Sequence, residues 1–284
     1  MIIPVVAYFI IFAYKPMYGL IIAFQNYRPT LGFMRSPWVG LRHFTNFFND
    51  IYFFRLMRNT ISISFFSILF GFPAPIILAL LLNELKNVLF KRTVQTITYM
   101  PYFISIVVVC SLIRIYTATN GVFSQIAVFL GGDAKNYLTM GKYFLRIYVI
   151  SDVWQTIGWN SIIFLAALAG IDQEQYEAAT IDGAGRFRRI LHVTLPNLLP
   201  TIMVLFILRM GGILYVGFEK IILLYNQGIY ETADVISTYV YRRGIIDAAF
   251  SYATAVGLFN SLVNVLFLVT ANKLSKKFTE LGLY

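Results

Sequence analysis

Three apolar stretches of this chain carry polar side chains where few are expected. The stretch 143–171 holds Asp152, Gln155, Trp159 and Asn160, and the first three follow the i, i+3, i+7 spacing of one helical face. The stretch 201–225 holds Arg209, Glu219 and Lys220 around Gly211, Gly212 and Gly217, and 251–272 holds Asn260 and Asn264 one turn apart. A charge in the middle of a membrane-spanning helix costs about 2.5–3.5 kcal/mol on insertion scales, so each such residue is a candidate for lining a polar pathway. The competing role is an interhelical hydrogen bond, worth about 0.6 kcal/mol. Arg209 favours lining, Asn260 and Asn264 fit both roles, and Asp152 would cost little if it lies near an interface. Glu219 and Lys220 are adjacent, so they point about 100° apart on a helix and need not pair; they read as structural residues at the end of their span.

A second constellation is the polar island 174–200, EQYEAATIDGAGRFRRILHVTLPNLLP. Glu174, Glu177 and Asp182 precede its glycines, and Arg186, Arg188 and Arg189 follow them. The island is too polar for hydrocarbon and must be a water-facing loop between spans. Residues 173–180 favour helix, Asp182-Gly183-Ala184-Gly185 breaks it, and helix resumes over 187–193 until Pro196 stops it. Gly183 or Gly185 can take positive φ, which gives helix, sharp turn, helix. An amphipathic connector resting on the bilayer would bring three acids against anionic headgroups, so a docking knob for a water-soluble partner fits better.

The elements that must position these residues follow from composition. The chain has 284 residues, 58% hydrophobic and 13% charged, with a mean hydropathy of +0.71. Several runs exceed the length needed to cross roughly 30 Å of hydrocarbon. Continuous runs rather than alternating ten-residue strands predict α-helices and not a barrel. Spans are expected at 2–24 (interrupted by Lys15 and Pro16), 59–82 (kinked at Pro73 and Pro75), 93–115 (bent at Pro101), 143–171, 201–225 and 251–272. An amphipathic surface helix is expected at 43–58, water-facing segments at 83–92, 116–142 and 226–250, and a short helix at 231–242.

Six spans put both termini, the 83–92 loop and the island on one side. By these boundaries each side holds nine Lys and Arg outside the spans, and the termini side packs them into less chain. Charge thus weakly favours cytoplasmic termini. The net charge of +10 is scattered over loops and span ends; anionic lipid explains it and nucleic acid does not. Cys110 is the single cysteine, which excludes an internal disulfide, and His43 and His192 fall on opposite sides, so no zinc-type cluster forms. No A-x-A cleavage site precedes Tyr27, so a removed leader is not expected. A basic tail before the first span is also absent, and further residues upstream of Met1 are expected in the natural protein. No G-x-x-x-x-G-K-[ST] phosphate loop occurs.

Glu177-Ala178-Ala179, Asp182-Gly183-Ala184 and Leu195-Pro196, at this spacing, resemble the EAA motif of permease subunits in ABC-type importers. The likeness runs along the chain: PVVAYFIIFAYKPMYGLIIAFQNYRP, SPWVGLRHF, FGFPAPIILALLLNE and VGFEKIILLYN resemble the carbohydrate-uptake branch, and within it the LplB-like permeases for complex or acidic oligosaccharides. The resemblance implies an all-α polytopic membrane protein with the type I importer permease (MetI-like) fold. The whole chain would be one transmembrane domain, with core spans over about 59–272 and span one wrapping a partner permease. The loop at about 172–200 would form a coupling helix seated in a cleft of the ATP-hydrolysing subunit, contacted through Glu177, Ala179 and Gly183. Implied partners are a second, homologous permease subunit (a heterodimer), two copies of a cytoplasmic ATP-binding subunit, an extracellular solute-binding protein and membrane lipid, in a bacterial cell membrane. ATP and Mg would be held by the ATPase, with no cofactor, metal or catalytic residue on this chain.

A sugar presents hydroxyls and an apolar face, so its pathway needs hydrogen-bonding groups among aromatic rings. Asp152, Trp154, Gln155, Trp159, Asn160, Arg209, Asn260 and Asn264 supply that chemistry. Two rivals remain: an ion-coupled secondary transporter, which would lean on midplane acids, and a membrane-embedded glycosyl enzyme. The enzyme would need a catalytic acid pair, and no two carboxylates share an obvious site.

Overall fold

A computed structural model describes residues 2–279 and 282. Within hydrocarbon only helices satisfy every backbone group internally, and helices cross the whole molecule. Among the described residues five are long and apolar enough to span a membrane: Ile3–Phe24, Phe53–Asn83, Ile106–Phe129, Arg186–Met210 and Phe250–Lys277. A sixth crossing is the pair Gly141–Ala169 and Gln173–Ile181, bent by 72° at the break between them. The chain ends, expected to be cytoplasmic, lie outside the described residues at Met1, Leu283 and Tyr284.

Span one is a single helical run despite Pro16. The ring removes an N–H and would strike the carbonyl four residues back, and the chain answers by widening to a π turn over Ile10–Tyr14. None of its apolar window is buried, so its side chains face outward until residues 18–24 meet span six and Ala23 is enclosed.

The expected surface helix at 43–58 is two elements. Arg42–Phe48 ends where the Asp50 carboxylate accepts the Tyr52 N–H at 2.9 Å, and span two begins at Phe53. Arg55 and Arg58 therefore belong to span two, which starts six residues before the expected position. It breaks between Gly71 and Pro73, where Pro73 and Pro75 sit in the first turn of Pro73–Asn83.

Span three is divided rather than bent. Val88–Tyr99, capped by the Asn87 side chain, gives way at Pro101 to a tight turn over Met100–Phe103, and Ile106–Thr117 follows. The expected loop at 83–92 shrinks accordingly. Part of 116–142, expected to face water, is helical at Val122–Phe129.

Span five departs furthest from expectation. Pro196 does not stop the helix: a π turn over Ile190–Thr194 absorbs its missing donor, and helix runs from Arg186 to Met210. The backbone then leaves helical geometry at 211–217 and resumes as the short helix Phe218–Leu224. Nor is 231–242 one helix. Tyr230–Ala233 and Ile236–Tyr241 are separated by Asp234, whose backbone is extended. Span six, Phe250–Thr279, carries Lys273, Lys276 and Lys277 in its last turns.

Buried clusters mark how the spans meet. Ile63, Phe144, Tyr148, Val216 and Ile221 join spans two, four and five around the break in span five. Ala79, Phe164, Leu168 and Leu198 join the same three spans at the island end. Gly158 lets span four lie against span three: a Cβ there would stand 2.1 Å from the Thr98 carbonyl oxygen.

Candidate translocation cavity and coupling loop

The island folds as its residue types dictate. Asp172 caps Gln173–Ile181 by accepting the Glu174 N–H at 3.0 Å, and Glu174 lies in the first turn, where an acid suits the helix dipole. The helix ends in a Schellman turn: Gly183 N–H donates to Thr180 O at 3.0 Å and Ala184 N–H to Ala179 O at 2.9 Å. Gly183 carries φ +73°, whereas Gly185 is extended. A side chain at Gly183 would meet no clash, so the glycine is required by backbone conformation rather than by space.

Three hydrogen bonds fasten this helix to the start of span five. Tyr176 Oη lies 3.1 Å from Thr194 Oγ1, Asn197 donates to Gln175 at 2.8 Å, and Arg189 donates to Thr180 at 3.0 Å. Glu177, Ala178, Asp182, Gly183 and Pro196 are exposed, while Ala179, Ala184 and Leu195 are half-buried. Two side chains that the motif reading passed over flank the turn: Ile181 is 86% exposed and Phe187 is 75% exposed. Apolar side chains this bare on a polar loop are candidates for burial against another surface.

Beyond the island, spans two, four and five enclose a cavity of about 380 Å³ lined in part by Ser64, Ser67, Asp152, Thr156, Asn160 and Arg209. Asp152, Thr156 and Asn160 line it because they recur every four residues on span four. The sequence grouping of Asp152 with Gln155 and Trp159 does not hold in space. Gln155 is buried, and Trp159 stacks on Tyr102 with centroids 4.7 Å apart and meets Phe103 edge-on at 5.3 Å. Trp154 lines a separate apolar cavity of about 660 Å³ between spans three and four. Asn260 and Asn264 line a groove on span six, and Asn264 Oδ1 accepts the Leu214 N–H at 2.9 Å, which anchors the break in span five.

Sequence reasoning missed the partner of Asp152. Lys220 is 3% exposed, and its ammonium stands 3.5 Å from Asp152 Oδ1 and 5.2 Å from the Tyr148 ring centroid. It is thus buried against span four rather than placed at the end of its own span. Lys220, Asp152, Tyr148 and Glu219 line a smaller cavity of about 310 Å³, and Asp152 and Tyr148 border both cavities. The adjacent charges Glu219 and Lys220 in an apolar run were the available signal, but the break at 211–217 hid their directions.

The face opposite the island is held by charges. Asp234 is fully buried and receives both arms of Arg242 at 2.7 and 2.6 Å, Arg55 at 3.2 Å and the Thr238 hydroxyl at 2.8 Å. Burial pulls the Arg242 guanidinium down, but its bonds to Asp234 and Tyr225 outweigh that and hold it above the usual arginine range. Asp50 accepts hydrogen bonds from Tyr239 and Tyr252. Burial pushes the Asp50 carboxyl up, yet those bonds, the Tyr52 N–H and nearby Arg243 hold it below its ordinary value. Burial, then the bond to Asp50, pushes Tyr239 up to about 12.

The protein is a membrane-spanning helical bundle with a polar cavity and a capped, water-facing loop. Residues 71–279 match the family described as the binding-protein-dependent transport system inner membrane component, and the chain belongs to that family. It is 47% identical over 285 residues to Protein LplB of Bacillus subtilis (strain 168), covering 100% of this chain and 90% of that one. It is 45% identical to the polygalacturonan/rhamnogalacturonan transport system permease protein YteP of the same organism, over 100% of this chain and 89% of that one. Among solved structures it resembles a bacterial alginate ABC transporter in complex with an alginate pentasaccharide-bound periplasmic protein, with TM-score 0.92, 43% identity and coverage of 100% and 95% of the two chains. The fold is that of the type I ABC importer permeases, six membrane helices in a multi-pass protein.

Proposed function

We propose that this chain is one of two homologous transmembrane subunits of an ATP-driven importer that carries an oligosaccharide. The observation that carries the reading is the island: Glu177 and Ala178 of the EAA-type motif stand exposed on a capped helix that is the bent continuation of span four, the same span that lines the polar cavity. A relative at 45% identity is named for polygalacturonan/rhamnogalacturonan transport, and an alginate transporter shares the fold. The cavity's hydroxyls, amide and charges offer the partners that a sugar's hydroxyls need.

In this reading two copies of a cytoplasmic ATPase hold ATP and Mg, and each permease seats one coupling helix in an ATPase cleft through Glu177, Ala178, Ala179, Asp182, Gly183 and Ala184. Leu195 and Pro196 support the loop from the start of span five. Both termini and the island then face the cytoplasm. ATP binding closes the ATPase pair, draws the coupling helices together and swings the spans from inward-open to outward-open. An extracellular binding protein delivers the sugar, which passes Asp152, Asn160 and Arg209. The chain hydrolyses nothing itself.

The test is uptake by proteoliposomes that hold the assembled complex, with binding protein outside and ATP inside. Uptake should require ATP and persist when ion gradients are collapsed by ionophores. Uptake that survives without ATP and disappears with an ion gradient would instead establish a secondary transporter.

A further inference from the structure

Lys220 poses a problem of charge inside the bundle. A buried ammonium needs a counter-ion, because an uncompensated buried charge is strongly destabilising. Asp152 supplies one, but poorly: the 3.5 Å separation exceeds the roughly 2.7–2.9 Å of a close charge-assisted hydrogen bond. Beyond this long contact, Lys220 Nζ has no hydrogen-bond partner among the described residues. The two partners also differ in access. The Lys220 side chain is 4% exposed and that of Asp152 is 27% exposed, so the acid is the more accessible of the two and the cation is nearly enclosed in the wall of the smaller cavity.

The surroundings give Asp152 somewhere to go. It borders both cavities, and the larger one also holds Arg209, which has no ion-pair partner among the described residues. Glu219 is exposed at the smaller cavity, so that opening carries no surplus positive charge. Discrimination there would fall to the buried ammonium rather than to a diffuse positive field.

We propose that Lys220 is a carboxylate-recognition residue of the passage and that Asp152 is its resident placeholder. A uronate carboxylate of the passing oligosaccharide takes the place of Asp152 at Lys220 Nζ, and Asp152 turns into the larger cavity. One carboxylate replaces another, so the buried cation is never left uncompensated, whereas a neutral sugar offers nothing that could displace the acid. The proposal rests on the oligosaccharide reading above and adds to it a selective residue outside the EAA loop.

The test uses the complete transporter in proteoliposomes with its binding protein, and two probes of one shape: tetragalacturonate and its fully methyl-esterified form. The quantity read is the acid-to-ester uptake ratio of each variant relative to wild type, which cancels the binding protein's own preference. Co-purification of the ATPase subunit reports assembly. Asp152→Asn removes the competitor and should raise the ratio about tenfold, and Lys220→Met should lower it by at least about tenfold, the range expected for a hydrogen bond to a charged group. The double variant Asp152→Asn/Lys220→Met buries no unpaired charge and should keep the low ratio of Lys220→Met.

An unchanged ratio in the assembled single variants would overturn the proposal. So would equal loss of both probes in each single variant with recovery of both in the double variant, the signature of an ion pair that only holds helices together. Wild-type uptake of neither probe with ATP would overturn this inference alone, whereas probe uptake that needs an ion gradient and not ATP would overturn the reading on which it rests.

Discussion

Phe187→Ala separates docking from folding. The ring is 75% exposed and lies just beyond the Schellman turn, so its removal takes little from the chain's own packing. Full burial of a phenylalanine contributes about 1.5–3 kcal/mol, so covering the exposed three-quarters in an ATPase cleft contributes about 1–2 kcal/mol. At 1.4 kcal/mol per factor of ten, that weakens ATPase binding by about 5–30-fold. Ile181→Ala, on the other side of the turn, should weaken it to a lesser degree. The assay is titration of purified ATPase subunit onto detergent-solubilised permease complex, with the melting temperature of the permease alone as control. Glu177→Arg reverses a charge on the same exposed face and should weaken binding without altering that melting temperature. Unaltered ATPase affinity in Phe187→Ala and Glu177→Arg would refute the placement of the loop in the cleft. A fall in the melting temperature as large as the loss of affinity would show that the ring serves the fold.

Three further outcomes concern the frame around the site. Gly158→Ala puts a Cβ 2.1 Å from the Thr98 carbonyl oxygen; backbone must move, at about 3 kcal/mol, and an unaltered melting temperature would contradict the close approach of spans three and four. Asp234→Asn strips the carboxylate from a fully buried site facing Arg242 and Arg55, both only about a fifth exposed, and should destabilise by about 3 kcal/mol in thermal melts, with wild-type stability as the contrary result. Because the folded pKa of Asp50 is lowered, its contribution is complete above the unfolded carboxyl value near about pH 4 and is lost as pH falls through the folded value. Asp50→Asn should therefore flatten the acid limb of a stability-versus-pH curve, and an acid limb as steep as that of wild type would count against the tyrosine cradle.

The sequence told most where backbone chemistry is local. Asp-Gly-Ala-Gly after an acidic helix leaves few ways to turn, and the turn falls at Gly183 as its residue types allow. Proline was less legible. Pro196 reads as a stop, yet a π turn one step earlier supplies the room its ring needs, and the loop passes into span five without a gap. Pro101 reads as a bend and instead divides span three. The cavity was half legible. Asp152, Asn160 and Arg209 announce themselves as polar residues in apolar runs, but which face of a helix looks inward depends on neighbours. Trp159 turned away because Tyr102 and Phe103 offer it a stack. Lys220 could not be assigned from spacing, since seven non-helical residues at 211–217 reset the direction of everything after them.

That break also fixes how a force at the loop can reach the cavity. Span four is one unbroken helix of 29 residues, roughly 43 Å at 1.5 Å per residue, that carries Asp152 and Asn160 and turns by 72° into the island helix Gln173–Ile181. A bend alone could flex and dissipate a push. Here the bonds Tyr176–Thr194 and Gln175–Asn197 tie the island helix to the first turns of span five, and Phe164, Leu168 and Leu198 close the angle with buried contact. Spans four and five are therefore clamped together at the island end, and Arg209 rides with Asp152 and Asn160. The helical run ends beyond Arg209, at 211–217, where the backbone leaves helical geometry and Asn264 of span six holds it through the Leu214 N–H. The Asp152–Lys220 pair spans that point, one partner on the clamped unit and the other beyond the break. The two partners therefore sit on different helical segments, and the segment that carries Lys220 is itself packed on span four through Val216, Ile221 and Tyr148.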